Sequence, residues 1–317
     1  MKIKSMRDAF WDQIYELAKK DKNIVIVSAD FGAPALDKFR ENLPEQFINV
    51  GISEQNAILV ATGLALKGKK PIAYAITQFI TLRCFEQIRI YPCGMNLPVT
   101  IVGVGAGACY WESGATHHCF EQLSIMRTLP NLRMLNCSDQ EMAKQAADYY
   151  AQSTQPLFIQ LDREVIHGHY VEHEPIDFTN GYKIHTSHPD NMVITTGNMF
   201  HEVSDIQQEL KKEDIHFGVI DLFNFPAKHK LLTDDLTKVK HIITIEESCL
   251  EGGLGSHILE MASDVEFKGQ IKRIALHTYQ GNNGSYNYGG REAIRKEYGM
   301  GRDMIMQTLR NTFKESR

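Results

Sequence analysis

The chain has 317 residues, 43% of them hydrophobic and 23% charged, with a formal net charge of −5. That is enough apolar material for a large core and enough length for two domains, while the scattered basic residues argue against both a nucleic-acid footprint and an acidic membrane surface as partners. The opening stretch MKIKSMRDAFWDQIYELAKKD carries acids at a helical period and no continuous apolar run, so it predicts neither a leader nor a membrane anchor, and a cytoplasmic protein.

In chain order, a helix over 5–20 is followed by strands at 24–27 and 47–50, a helix at 53–66, a strand at 71–75 and a helix at 85–90. Strands at 99–104, 133–135 and 157–161 then alternate with helices at 120–126 and 139–152. Alternation of β-branched apolar runs with amphipathic stretches is the mark of an α/β fold, a parallel sheet covered by helices on both faces. From Glu164 the run EVIHGHYVEHEPIDFTNGYKIHTSHPD is polar and rich in turn formers, which predicts a linker with a short hairpin. Beyond it, strands at 192–196, 217–221, 241–246 and 271–277, with helices at 201–210 and 255–261, predict a second α/β domain. The expected organisation is a domain over 1–165, a linker over 166–190 and a domain over 191–317, each built in three layers on a parallel sheet. Six cysteines without a C-x-x-C pair read as reduced intracellular thiols and receive no catalytic role.

Glu54 opens the helix of GISEQNAILVATGLALKGKKP, residues 51–71. A carboxylate in a first turn is stabilised by the helix dipole by about 0.3–1 kcal/mol, and Ser53 beside it is a capping residue type. Yet the helix that follows, with Ala57, Ile58, Leu59, Val60, Ala61, Leu64, Ala65 and Leu66, has no wide polar face and is expected to be buried on several sides. Its first turn would lie at the carboxyl edge of a parallel sheet, where open α/β sheets bind ligands. A carboxylate there must be paired, hydrogen-bonded or protonated.

This stretch resembles the pyrimidine-binding domain of thiamine diphosphate enzymes of the transketolase family. So do QFITLRCFEQIR (78–89), GATHHCFEQLSIMRTLPNLRML (114–135) and PLFIQLDRE (156–164), while EESCLEGGLGSHI (246–258) resembles the family's C-terminal domain. The resemblance implies a pyrimidine-binding domain followed by a transketolase C-terminal domain. It further implies that Glu54 hydrogen-bonds N1′ of the cofactor's aminopyrimidine and so tunes a base that belongs to the cofactor. Phe79 matches the aromatic that packs on the pyrimidine, against its alternative as an ordinary core residue. Ile76 lies where many relatives carry another aromatic, which implies an aliphatic wall. His117 of GATHH matches a histidine that reaches the donor's reacting carbon and stabilises a developing oxyanion, with His118 behind it in a supporting place. Arg163 matches an arginine that contacts the acceptor's phosphate, against its alternative as a salt-bridged residue at a strand end.

Transketolases ordinarily have an acid four positions before the histidine of G-x-T-H and another histidine twelve before it; here those positions are Ser113 and Gly105, with Tyr110 and Trp111 nearby. A bulky, less charged substrate pocket is expected, and pentose-pathway sugar phosphates are put in doubt. GVGAGA (103–108) fits a dinucleotide fingerprint nominally, but no helix start follows it. His167, His169 and His173 could be drawn as a metal site and read better as a solvated loop. In GGLGS the glycines are expected to allow close packing at a helix start.

No GDG motif occurs in the chain. The family needs one, on its diphosphate-binding domain, for Mg²⁺ and the cofactor's diphosphate. The resemblance therefore implies the C-terminal subunit of a split transketolase that works with an N-terminal subunit carrying GDG, in an α2β2 heterotetramer, and transfers a two-carbon ketol unit between sugars. The beta subunit of a 2-oxo-acid dehydrogenase, a deoxyxylulose-phosphate-synthase-like enzyme and a non-catalytic relative are the alternatives.

Overall fold

The computed structural model describes residues 4–166, 168–227, 229–278 and 289–314. The chain divides into two compact units, Met1–Ala106 with Ile125–Ile176, and Gly107–Ser124 with Asp177–Arg317. The second unit thus takes eighteen residues, 107–124, out of the middle of the first.

In the first unit, α1 (Met6–Ala18) starts where the Ser5 hydroxyl accepts a hydrogen bond from the Asp8 N–H, and it buries Met6, Phe10, Trp11, Ile14 and Ala18 along one stripe. There follow β1 (Ile24–Ser28), α2 (Pro34–Asn42), β2 (Phe47–Asn49), α3 (Glu54–Leu66), β3 (Lys70–Ile76), α4 (Thr77–Thr81), α5 (Phe85–Ile88) and β4 (Thr100–Val104). After α6 (Gln122–Met126) come β5 (Arg133–Asn136), α7 (Gln140–Ala151) and β6 (Leu157–Leu161). These six strands lie in the order β5-β6-β4-β3-β1-β2, every pair parallel. Every residue of β1, β4 and β6 is buried, so helices cover both faces of the sheet. The order reverses between β1 and β3, which makes their carboxyl ends the topological switch where such sheets bind ligands.

The second unit contains β7 (Tyr182–Thr186), β8 (Asn191–Thr195), α8 (Met199–Lys211), β9 (Gly218–Leu222), the two-residue β10 (Asn224–Phe225) and α9 (His229–Leu236). It continues with β11 (His241–Cys249), α10 (Leu254–Asp264), β12 (Gln270–Leu276), α11 (Arg291–Glu297) and α12 (Arg302–Lys314). Its sheet runs β12-β11-β8-β9-β7 and is parallel except at one edge, where β7 pairs antiparallel with β9. An all-parallel sheet was the expectation; the difference is β7 itself, which falls inside the stretch assigned to the linker.

The helix start in GGLGS obeys a plain steric rule. Glu246 lies wholly inside and its carboxylate accepts from the N–H groups of Leu254 and Gly255, each at 2.7 Å, so it fills the place of an N-terminal cap for α10. A side chain at Gly253 would collide with that carboxylate, as expected for glycines that permit close packing.

Near the first sheet, the buried Gln46 donates through Nε2 to the carbonyls of Ala18 (3.1 Å), Asp21 (3.1 Å) and Ile24 (2.9 Å), closing the end of α1 onto the start of β1. Truncation leaves those buried acceptors unmet. Gln46→Ala is expected to lower the free energy of unfolding by about 1–3 kcal/mol in a chemical denaturation series, with the far-ultraviolet circular dichroism of the native chain unchanged.

Candidate functional site

Two sets of candidate residues occupy the two units, one in each, and they are best taken separately. In the first unit, Glu54 is the first residue of α3 and is buried, its side chain only 4% exposed. Ser53 precedes it but makes no side-chain cap hydrogen bond, and Glu54 stands in the first turn of the helix. What holds it is Arg83, whose Nη1 donates to Glu54 Oε2 at 2.6 Å. The same guanidinium lies over the Phe79 ring, 4.4 Å from its centroid. Gln55 fixes the backbone beneath, Nε2 donating to the Arg83 carbonyl at 3.1 Å.

One flat cation is therefore gripped at its edge by a carboxylate and at its face by an aromatic ring. Arg83 is 46% exposed along its side chain, so water reaches the far end of the pair. Ile76, the last residue of β3, is half-buried and leads into α4, which carries Phe79. Cys84 lies beside this group; burial, reinforced by the Glu54 charge, pushes its thiol up to about 12, so it stays protonated and inert. Arg163 is half-buried two residues past the end of β6, at the same carboxyl edge of the sheet as Ile76.

The side of α3 away from the sheet corrects one expectation. Glu54, Ala57, Ile58, Ala61, Thr62 and Ala65 form a single buried stripe, but Leu59 is 42% and Leu66 58% exposed, and Ile52 just before the helix is 80% exposed. The helix is apolar nearly all round, yet it buries one stripe and leaves Leu59 and Leu66 exposed.

In the second unit, residues 107–119 form a closed loop. Gly107 and Cys119 exchange both backbone hydrogen bonds, at 2.8 and 3.0 Å. Within it, Ser113 ends a short 3-10 turn and Gly114 follows at φ +76°, where glycine is the favoured residue. His117 is half-buried near the loop's end, with its N–H donating to the Gly114 carbonyl at 2.9 Å and Nδ1 3.0 Å from the Thr116 hydroxyl. Tyr110 is buried and its ring centroid lies 6.3 Å from that of His117. His118 points inward and is buried; desolvation holds its pKa below the usual 6.5 against the opposing pull of the Glu247 charge. GVGAGA is confirmed as no dinucleotide motif: β4 ends at Val104, and the chain turns through Gly105 and Gly107, both at positive φ, into this loop instead of a helix.

Arg83 and Glu247 escaped the reading of the sequence. Arg83 stands in the turn just past α4, so no helical spacing marks it. Nothing local marks Glu247, because its partners lie far along the chain. Among the described residues no cluster of three or more His, Cys, Asp or Glu could hold a metal ion, and His167 of the discounted metal reading lies outside them.

Comparison with known proteins gives two family matches, the transketolase pyrimidine-binding domain over residues 2–167 and the transketolase C-terminal domain over 181–305. The chain is 28% identical over 316 residues to a Methanocaldococcus jannaschii protein named "Putative transketolase C-terminal section", covering 98% of this chain and 97% of that one. It is 29% identical over 262 residues to an apulose-4-phosphate transketolase subunit from Phocaeicola vulgatus, covering 81% of this chain and 83% of that one. Among solved structures it superposes on one described as a split gene transketolase, an inactive beta4 tetramer, with a TM-score of 0.86, 26% identity and coverage of 99% and 100%.

The inward placement of His118 has a measurable sign. Its folded pKa is depressed, so it contributes stability above the ordinary 6.5 that is lost as pH falls through the lower folded value. The unfolding free energy is expected to decline as pH falls below 6.5, and His118→Gln is expected to flatten part of that slope; histidine NMR titration gives the pKa directly.

Proposed function

The chain belongs to the transketolase family, and on that premise we propose that it is the C-terminal subunit of a split, thiamine diphosphate-dependent transketolase that transfers a two-carbon ketol unit between sugars or sugar derivatives. One observation carries the reading: the buried Glu54 carboxylate and the Phe79 face together hold a planar, delocalised nitrogen donor, at present Arg83. An aminopyrimidine offers the same chemistry, a ring-nitrogen edge for the acid and a flat face for the ring. The residues fit the group.

Thiamine diphosphate, when bound, supplies a nucleophilic thiazolium carbon and an electron sink for breaking and making bonds next to a carbonyl. In this proposal Glu54 shares a proton with N1′, and its dry surroundings strengthen that hydrogen bond. Phe79 orients the ring and Ile76 walls it. His117 donates a hydrogen bond to the donor's carbonyl oxygen as negative charge develops there. Ser113 and Arg163 contact polar groups of the substrates, Arg163 being the residue for an anionic end such as phosphate. With Ser113 where relatives have an acid and Gly105 where they have a histidine, recognition of the sugar shifts towards hydroxyls and the aromatic bulk of Tyr110 and Trp111.

The diphosphate and Mg²⁺ are assigned to a partner chain carrying GDG, in a cytoplasmic α2β2 assembly. The exposed apolar side of α3 supports a partner: Ile52, Leu59 and Leu66 are joined by Ile90, Tyr91 and Met95 from the stretch that follows the neighbouring α5, all more than a third exposed. No helix among the described residues is long and apolar enough to cross a membrane.

Mixed with that partner, thiamine diphosphate and Mg²⁺, the chain is expected to convert L-erythrulose and D-glyceraldehyde into a pentulose and glycolaldehyde. Glu54→Ala is expected to cut the rate by about 10²–10⁴-fold; transfer at the unaltered rate overturns the assignment, and decarboxylation of pyruvate in its place supports the synthase-like alternative. The double substitution Leu59→Asp with Leu66→Asp is expected to leave the chain folded by circular dichroism and to abolish co-elution with the partner on size exclusion.

A further inference from the structure

Glu247 is the most heavily bonded carboxylate among the described residues. It lies near the end of β11 with its side chain 2% exposed, and it accepts from Arg291 through Nε (3.0 and 3.1 Å) and Nη2 (2.6 Å), from Arg295 through Nε (2.8 Å) and from Asn198 through Nδ2 (2.8 Å). Burial alone would raise its pKa, but the two guanidinium groups, themselves about nine-tenths buried, overcome that and hold it well below the carboxylate range. Such a side chain has no freedom left. Against it lies the first residue of the His117 loop: a Cβ built on Gly107, which stands at φ +59°, would come within 2.5 Å of the Glu247 carboxyl carbon and of Oε2.

The rest of the loop is fastened to the same strand. Gly107 pairs with Cys119, and the Cys249 N–H, two residues past Glu247, donates to the Phe120 carbonyl at 2.8 Å. The Phe120 ring packs edge-on against Tyr298, with centroids 5.4 Å apart, and the Ser124 hydroxyl donates to the Glu251 carbonyl at 2.6 Å. His118, next to His117, feels the Glu247 charge directly. The loop is therefore anchored at both ends on one short length of β11, and His117 sits between the two anchors.

We propose that Glu247 is a positioning residue for His117: clamped by Arg291, Arg295 and Asn198, it forms the fixed surface on which the 107–119 loop closes, and so sets where the His117 imidazole is presented. Two arginines around one acid exceed what neutralisation requires; they make the carboxylate immobile, and a presented imidazole needs that because small misplacements of a catalytic group cost large factors in rate. The inference rests on the ketol-transfer reading of His117. It adds that the C-terminal unit acts in that chemistry by holding the loop.

Two variants test it in the assembled complex with the partner chain. Gly107→Ala keeps every charge and pushes a methyl group into the clamped carboxylate; Glu247→Gln keeps the volume and removes the charge. Hydrogen exchange is expected to quicken at least tenfold across residues 107–119 in Gly107→Ala, with the amides of β8 and β9 unchanged. With L-erythrulose and D-glyceraldehyde, kcat is expected to fall about 10–100-fold while KM stays within about twofold. In a His117→Ala background Gly107→Ala is expected to cost nothing further, an outcome that general loosening of the fold does not produce. Glu247→Gln counts only if its thermal unfolding stays cooperative, and Gly107→Ala decides alone if it does not. Unchanged exchange in the loop, an unchanged kcat, or a loss that carries over in full to the His117→Ala background overturns the proposal. Should the unaltered complex transfer no ketol unit, it is the function reading that falls, and the exchange measurement decides the clamp by itself.

Discussion

A carboxylate cannot be taken out of water without a partner, and that constraint organises both units of this protein. Three buried glutamates meet it in three ways. Glu246 is held by the N–H groups that open α10, together with the Ser248 hydroxyl, a purely local solution that fixes one helix on one strand. Glu247 is held by two buried guanidinium groups of α11 and an amide at the start of α8, a solution drawn from two distant parts of the chain. Glu54 is held by one arginine whose other end stands in water. The first two acids are closed off from water, and the third is paired with an arginine that water reaches.

The same contrast explains the chemistry of the Glu54 seat. An acid buried with nothing to bond would take up a proton and lose its value as a hydrogen-bond acceptor. Arg83 gives the Glu54 carboxylate a partner and covers the Phe79 face in the chain as it stands.

What could be read in the sequence was what is local. The βα alternation, the order of the strands along the chain and the apolar helix opening with Glu54 each follow from a few adjacent residues. The pairing of Glu54 with an aromatic seat came from the family resemblance alone, since Glu54 and Phe79 stand on different helices, α3 and α4. Less was legible where the fold depends on distant partners. β7 reads as part of a turn-rich stretch since its outer residues are half-exposed at a sheet edge, and only pairing with β9 makes it a strand. The outer side of α3 looked like core because hydrophobicity alone does not say whether the neighbour belongs to the same chain. The role of Glu247 was invisible, its partners standing 44 and 48 residues onward and its load, Gly107, far upstream.

The membership of residues 107–124 has a consequence for how such proteins can be rearranged. A chain whose second module borrows a segment from inside the first cannot be recombined with a homologue through one crossover near residue 176. Three junctions, at 106/107, 124/125 and 176/177, must change together for a chimera to keep each borrowed loop with its own support. Cutting between the two modules strands a loop on the wrong side, which leaves the pair travelling as one inherited block.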